Sequence, residues 1–233
     1  MCGRFTLTLE AAELQEFLDL GKMPMEWTRR YNVAPSQPVA VVRDPEKRQI
    51  EWLRWGLIPF WAKDMSIGYK MINARSETVD VKPSFKNAFK QRRCLIPADG
   101  FYEWKKVGKT KGSKMPFYFQ LKNEEPFFFA GLWETWTPQD GKDILSCTVL
   151  TTTPNKLVAD VHDRMPVIFS RMDAWNWLAP GNDLDLKSLL KPFPGELMKT
   201  HVVSKTVNSP RNDSPVCVLP VDSDQQAKQI ELF

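Results

Sequence analysis

The chain has little of what marks many familiar protein classes. Of its 233 residues only four are cysteines and two are histidines. Cys2, Cys94, Cys147 and Cys217 lie far apart and form no C-x-x-C pair, which argues against a zinc site and against a disulfide framework. No metal and no cofactor are expected. Apolar runs such as Pro126 to Trp133 stay under ten residues, well short of the ~20 that span a bilayer, so no membrane partner is expected either. A basic-plus-apolar leader is missing, and the expected location is the cytoplasm. There is no internal repeat and no low-complexity linker.

What is present suits one globular unit. A hydrophobic fraction of 42% over this length can bury a substantial core, and we expect a single domain over residues 1–222, a polar tail over 223–233 and a monomer. Thr8 to Leu20 reads as an amphipathic helix capped by Thr8, with Leu14, Phe17 and Leu18 on one face and Gly21 ending it. Val39 to Arg43 and Ile50 to Gly56 read as strands joined by a turn around Asp44-Pro45-Glu46-Lys47. A short helix after Pro83 places Phe85, Ala88 and Phe89 on one side and Lys82, Lys86 and Lys90 on another. Pro116–Leu121, Pro126–Trp136, Leu145–Thr152 and Pro166–Phe169 are β-rich. Ser170–Leu178 and Asp185–Leu190 read as late helices, and His201–Ser204 and Val216–Val221 as closing strands. Strands in succession with little βαβ alternation predict an α+β fold, a mostly antiparallel barrel or sandwich-like core with flanking helices.

Net charge is only +4, but it is unevenly spread. Val81 to Ala98 holds Lys82, Lys86, Lys90, Arg92 and Arg93, and Trp104 to Asn123 holds Lys105, Lys106, Lys109, Lys111, Lys114 and Lys122, with no acid in either stretch. Such stretches suit a polyanion, or are two solvated faces.

Met1-Cys2-Gly3-Arg4-Phe5 carries the most chemistry. The small side chain at position 2 predicts methionine trimming, which leaves a terminal cysteine with its α-amine and thiol on adjacent carbons. That pair condenses with an aldehyde to a Schiff base and closes on it as a thiazolidine. An α-amine near pH 7 is roughly 10–15% unprotonated, about 300 times more than a lysine. The alternative is an ordinary buried thiol. Four further segments bear on the choice. Asn73-Ala74-Arg75 offers an amide anchor and a phosphate fork, or a turn cap. Glu103, between Tyr102 and Trp104, is a proton carrier if buried, or a strand glutamate paired with Lys105 or Lys106. His162, in Asp160-Val161-His162-Asp163-Arg164, is a proton carrier or a structural histidine. Trp61, in Pro59-Phe60-Trp61-Ala62-Lys63, can stack on a base.

In order along the chain, Met1-Cys2-Gly3-Arg4-Phe5, Tyr31-Asn32-Val33-Ala34-Pro35, Trp55-Gly56-Leu57-Ile58-Pro59, Ile72 to Thr78, Arg93 to Trp104 and Val161 to Pro166 resemble the SOS response-associated peptidase family, whose members shield abasic sites. The match is looser after about Ser170. The resemblance implies covalent capture of abasic sites in single-stranded DNA, including at single/double-strand junctions, through a thiazolidine on Cys2. It implies that Asn73 positions the amine, Glu103 moves protons there, His162 acts on the sugar oxygen and Thr151 lies near the reacting carbon. Arg4, Arg75 and Arg164 would hold phosphates, with Pro35 and Trp61 shaping the strand's path. Lyase side activity, self-processing of the terminus and association with damaged DNA of the nucleoid are further expectations. Two other readings stay open: an N-terminal-nucleophile cysteine peptidase, and a non-covalent single-strand binding module.

Overall fold

The computed structural model describes residues 2–107, 114–139, 141–179 and 185–221. In chain order these residues form β1 (Phe5–Leu7), α1 (Ala11–Leu18), β2 (Arg30–Val33), β3 (Pro38–Val41), β4 (Glu51–Trp55) and β5 (Asn73–Arg75). Then come α2 (Lys86–Gln91), β6 (Arg93–Ala98), β7 (Gly100–Lys106), β8 (Lys114–Leu121), β9 (Phe127–Trp136) and β10 (Ile144–Thr152). The last elements are α3 (Lys156–Ala159), β11 (Met165–Pro166), β12 (Ile168–Phe169), α4 (Arg171–Leu178) and β13 (Met198–Val202).

Two sheets carry the fold. One runs β13-β8-β7-β1-β2; the other runs β12-β9-β10-β4-β3, with β11 and β5 joined to β10 and β6 joined to β9. Neighbours pair antiparallel, except that β10 lies parallel to β4 and to β5. The α+β expectation therefore holds, as two sheets and few helices, with no closed barrel among the described residues.

Side-chain alternation explains the layering. On β9, Phe127 and Phe129 join a core with Phe5, Trp55, Phe101 and Phe119, while Phe128, Ala130 and Leu132 join a second core with Leu14, Leu18, Ala88, Phe89 and Trp177. The first core lies between the sheets; the second lies under α1, α2 and α4. Buried on both faces, Phe127 to Leu132 of β9 read as an uninterrupted apolar run. A third cluster, Tyr102, Tyr118, Val203, Val207 and Cys217, covers the outer face of the first sheet.

The amino terminus is held by this core. β1 pairs with β2 on one side and β7 on the other, and Phe5 meets Trp55 and Phe129 edge-on at 5.2 and 5.6 Å. Chain termini usually fray; this one is an interior strand.

Several local expectations need correction. Thr8 does not cap α1: its N–H and hydroxyl both donate to Asp99, at 2.5 and 2.7 Å. The helix starts later, where the Glu13 carboxylate accepts the Glu10 N–H at 3.0 Å, and ends with Asp19 in the left-handed conformation rather than at Gly21. Phe17 is exposed. Asp185–Leu190 yields a 3-10 turn over Leu186–Leu189. Val216–Val221 is not a strand: a 3-10 turn spans Pro215–Cys217, where Pro215 fits the first turn without an N–H to lose.

Candidate active site at the amino terminus

Cys2 is wholly buried in the inter-sheet core. Its carbonyl accepts the Nδ2–H of Asn73 at 2.7 Å. Asn73 begins β5, which lies opposite Val149 of β10, and the same register sets Thr151 opposite Arg75. Thr151 is buried, and its hydroxyl donates a long 3.5 Å bond to the Ala74 carbonyl. The Asn73 Oδ1 is buried and accepts no hydrogen bond among the described residues.

Glu103 arrives from the facing sheet. On β7 it shares a face with Phe101, which packs in the core around Cys2, and it is only 2% exposed. The strand-surface alternative is thereby excluded: its carboxyl is inside. Burial pushes it up to about 7, with Asp163 adding to the rise and the charges of the chain's amino terminus and Lys114 opposing it. The Cys2 thiol is pushed well above its ordinary value, first by burial and then by the Glu103 charge, so it is protonated at neutral pH.

His162 follows α3, a single turn whose N-terminus is capped by the Asn155 side chain accepting the Val158 N–H at 2.9 Å. The His162 N–H bonds to the Val158 carbonyl at 2.8 Å. Its Nε2 stands 3.9 Å from the Glu103 Oε2, and its Nδ1 accepts the Arg164 N–H at 3.0 Å. Burial lowers its pKa, with smaller effects from the amino terminus, Asp163 and Lys114; the ring is neutral at pH 7. A carboxyl titrating near neutrality beside a neutral imidazole can pass protons in both directions.

The proposed strand-contacting residues are placed less uniformly. Arg75 is exposed at the end of β5. Trp61 is 49% exposed in a turn held by the Trp136 indole donating to the Ala62 carbonyl. Pro35 is half-buried beside Ser36, which takes a positive φ of 73°. Arg4 turns inward, with Nη1 donating at 2.7 Å to both Asn32 Oδ1 and the Val207 carbonyl. Arg164 forks onto Glu77 at 2.5 and 2.9 Å and also donates to the Thr151 carbonyl at 2.6 Å.

Of the cationic stretches, Lys82, Lys86, Lys90, Lys105, Lys106, Lys114 and Lys122 face solvent. Arg92 pairs with Glu134 at 2.8 Å, and Arg93 ties α2 to α4 through four backbone carbonyls. Lys109 and Lys111 lie outside the described residues. Glu77 went unassigned in the sequence, although its place four residues after Asn73 is a usable signal. The buried network of Asp99 with Thr6, Thr8 and Tyr118 left no trace there either.

The chain is similar to proteins already known. A family model described as SOS response associated peptidase matches residues 1–210. The abasic site processing protein YoqW of Bacillus subtilis (strain 168) is 47% identical over 224 residues, covering 92% of this chain and 97% of that one. The abasic site processing protein HMCES of Pongo abelii is 31% identical, covering 95% of this chain and 77% of its own length. A crystal structure of a Bacteroides thetaiotaomicron protein superimposes with a TM-score of 0.83 at 25% identity, covering 95% of this chain and all of that one. With Cys2, Asn73, Glu103 and His162 gathered at one place, and a family match over nearly its whole length, the chain belongs to the SOS response associated peptidase (SRAP) family.

Proposed function

We propose that this protein recognises abasic sites in single-stranded DNA and, once Met1 is removed, captures them through Cys2 as a thiazolidine that shields the lesion. The observation that carries the reading is the anchoring of residue 2 by Asn73, next to a buried carboxyl near pKa 7. Family membership and the names of the abasic site processing relatives support it.

The chemistry needs no oxidant, metal or cofactor. An abasic sugar is mostly a closed hemiacetal; His162 gives a proton to the ring oxygen as the bond to the anomeric carbon breaks and regains one from the anomeric hydroxyl, so the aldehyde forms and the imidazole is again neutral. The freed α-amine attacks the carbonyl carbon; the carbonyl oxygen leaves as water and a C=N bond remains. Glu103 takes the ammonium proton beforehand and releases it to solvent, so that its carboxylate is free to take the thiol proton afterwards. The Cys2 sulfur then adds to the imine carbon, the π pair moves to nitrogen, and Glu103 returns the proton there. Asn73 holds the main chain with Nδ2 and offers Oδ1 to the amine. Thr151 lies beside the reacting carbon.

Phosphates position the strand without reading sequence. Arg75 is the accessible fork. Arg4 contributes by exchanging present partners for phosphate oxygens, and Arg164 adds its positive charge beside the phosphates while keeping its fork on Glu77; Pro35 and Trp61 guide the strand and the exposed lysines line its groove. The protein acts as a monomer in the cytosol, on single strands and at their junctions with duplex, with lyase cleavage and terminal self-processing as side reactions.

A denaturing gel tests the reading. Single-stranded DNA with one abasic site should shift with the wild type and not with Cys2→Ala, and an intact-thymidine strand should not shift with either. Equal shifts on both strands sink lesion recognition. Peptide turnover lost in Cys2→Ala, without a shift, selects the peptidase; salt-sensitive binding indifferent to Cys2→Ala selects the non-covalent module.

A further inference from the structure

Two groups compete for one nitrogen of the His162 ring. Nδ1 accepts the main-chain N–H of Arg164 at 3.0 Å, which requires a bare Nδ1 and places the proton of the neutral ring on Nε2, the atom facing Glu103. The Asp163 carboxylate also lies 3.0 Å from Nδ1, and a carboxylate there favours the opposite tautomer, or the imidazolium. Asp163 is 87% exposed, so water weakens its pull. The balance rests on how firmly the Arg164 main chain is held.

The Arg164 side chain holds it. Nη1 and Nη2 form two parallel bonds with the Glu77 carboxylate, and Nη2 also bonds to the Thr151 carbonyl on β10 at 2.6 Å. Bidentate guanidinium–carboxylate pairs are among the most geometrically exacting in proteins. Arg164 is only 11% exposed, so this fork sets the course of the chain through residue 164, and with it the direction of the N–H toward His162. The segment that supplies Asn73 to Cys2 thus supplies Glu77, four residues on, to the imidazole.

We propose that Glu77 is a positioning residue: by clamping Arg164 against β10, it fixes His162 as the neutral Nε2–H tautomer directed at Glu103. This rests on the reading of His162 as the proton carrier, yet its primary test does not need DNA.

The full chain, labelled with ¹⁵N-histidine, gives two ring spin systems, one for each histidine, and His162→Ala assigns them. Long-range ¹H–¹⁵N correlation at pH 7.5 should show His162 with its proton on Nε2. In Glu77→Gln the Nδ1–H or doubly protonated form should appear, with His201, whose Nε2 bonds the Val218 carbonyl at 2.8 Å, unchanged. Adding Asp163→Asn should restore the wild-type signals by removing the competitor. Arg164→Lys, which keeps the charge and loses the fork, should reproduce the Glu77→Gln spectrum and serves if the Glu77 variant folds poorly. Capture of abasic-site DNA by Glu77→Gln should slow by roughly tenfold to a hundredfold, with an altered pH profile over the range where Glu103, Asp163, Lys114 and the amino terminus act on the ring.

The inference is overturned if wild-type His162 carries its proton on Nδ1, or if Glu77→Gln and Arg164→Lys leave the ring signals unaltered. Failure of the wild type to capture DNA would instead refute the proposed function, leaving the tautomer result to decide this point alone.

Discussion

Replacing Glu103 by glutamine should stabilise the protein while silencing its chemistry, and the gain should depend on pH in a defined way. Burial lifts this carboxyl from an ordinary 4.5 to about 7. The folded protein therefore binds the proton more tightly than the unfolded chain does. Stability is full below about pH 4.5, is lost progressively as pH rises through the window to about 7, and is flat above it. At about 1.4 kcal/mol per pH unit, the loss amounts to about 3 kcal/mol. Glutamine carries no charge at any pH and escapes it. Glu103→Gln should thus exceed the wild type by up to about 3 kcal/mol at pH 8, or about 6–12 °C in Tm for a chain of this size, and match it near pH 4.5. Thermal and urea melts at pH 4.5, 6 and 8 measure the difference, and the gel at pH 7.5 should show capture lost. A stability difference that is constant with pH, or a variant less stable than wild type at pH 8, refutes the claim that a buried carboxyl is held near neutrality here.

Two further outcomes are expected. Asp99→Ala leaves the Thr6 and Thr8 hydroxyls and the Thr8 N–H without their shared acceptor and should cost about 3 kcal/mol in urea unfolding; a loss below 1 kcal/mol would show that the network is not stabilising. Trp61→Ala should weaken binding of undamaged single-stranded DNA by about 1–3 kcal/mol in fluorescence anisotropy while leaving capture at saturating protein unchanged; unchanged anisotropy removes Trp61 from the strand's path.

The sequence was most legible where one force dominated. Phe127 to Trp136 and Ile144 to Thr152 combine β-branched or aromatic residues with burial on both faces, and pattern alone places them in strands. Arg93 to Lys106 shows no such pattern, because Pro97 and Gly100 interrupt it. Yet Pro97 lies on β6, whose ladder runs along β9, with a single bridge from Leu95 to Val42 on its other side; at the position of Pro97 that other side is unpaired and tolerates a missing N–H. Gly100 is required because a Cβ there would stand 2.1 Å from the Tyr118 hydroxyl, a contact between positions 18 residues apart that no local window contains. The same limit applies to the site. Cys2, Asn73, Glu103 and His162 were named as residue types suited to aldehyde and proton chemistry, but the inward turn of Arg4 and the Glu77 fork depend on long-range packing. The burial of Glu103 likewise comes from a facing sheet that the hexapeptide around it cannot encode.

Placing β1 between two neighbours rather than at a sheet margin has a kinetic consequence. Arg4 and Thr6 carbonyls accept main-chain bonds from Tyr102 and Asp99 at 3.0 and 3.1 Å, and Phe5 is locked among aromatic rings. Residues 4 to 7 therefore have no cheap route of partial opening, and their amide exchange should run at the rate of whole-molecule denaturation. Residue 2 borrows its rigidity from the least labile part of the protein, so heat or denaturant should abolish the proposed capture of abasic-site DNA only at the main cooperative transition.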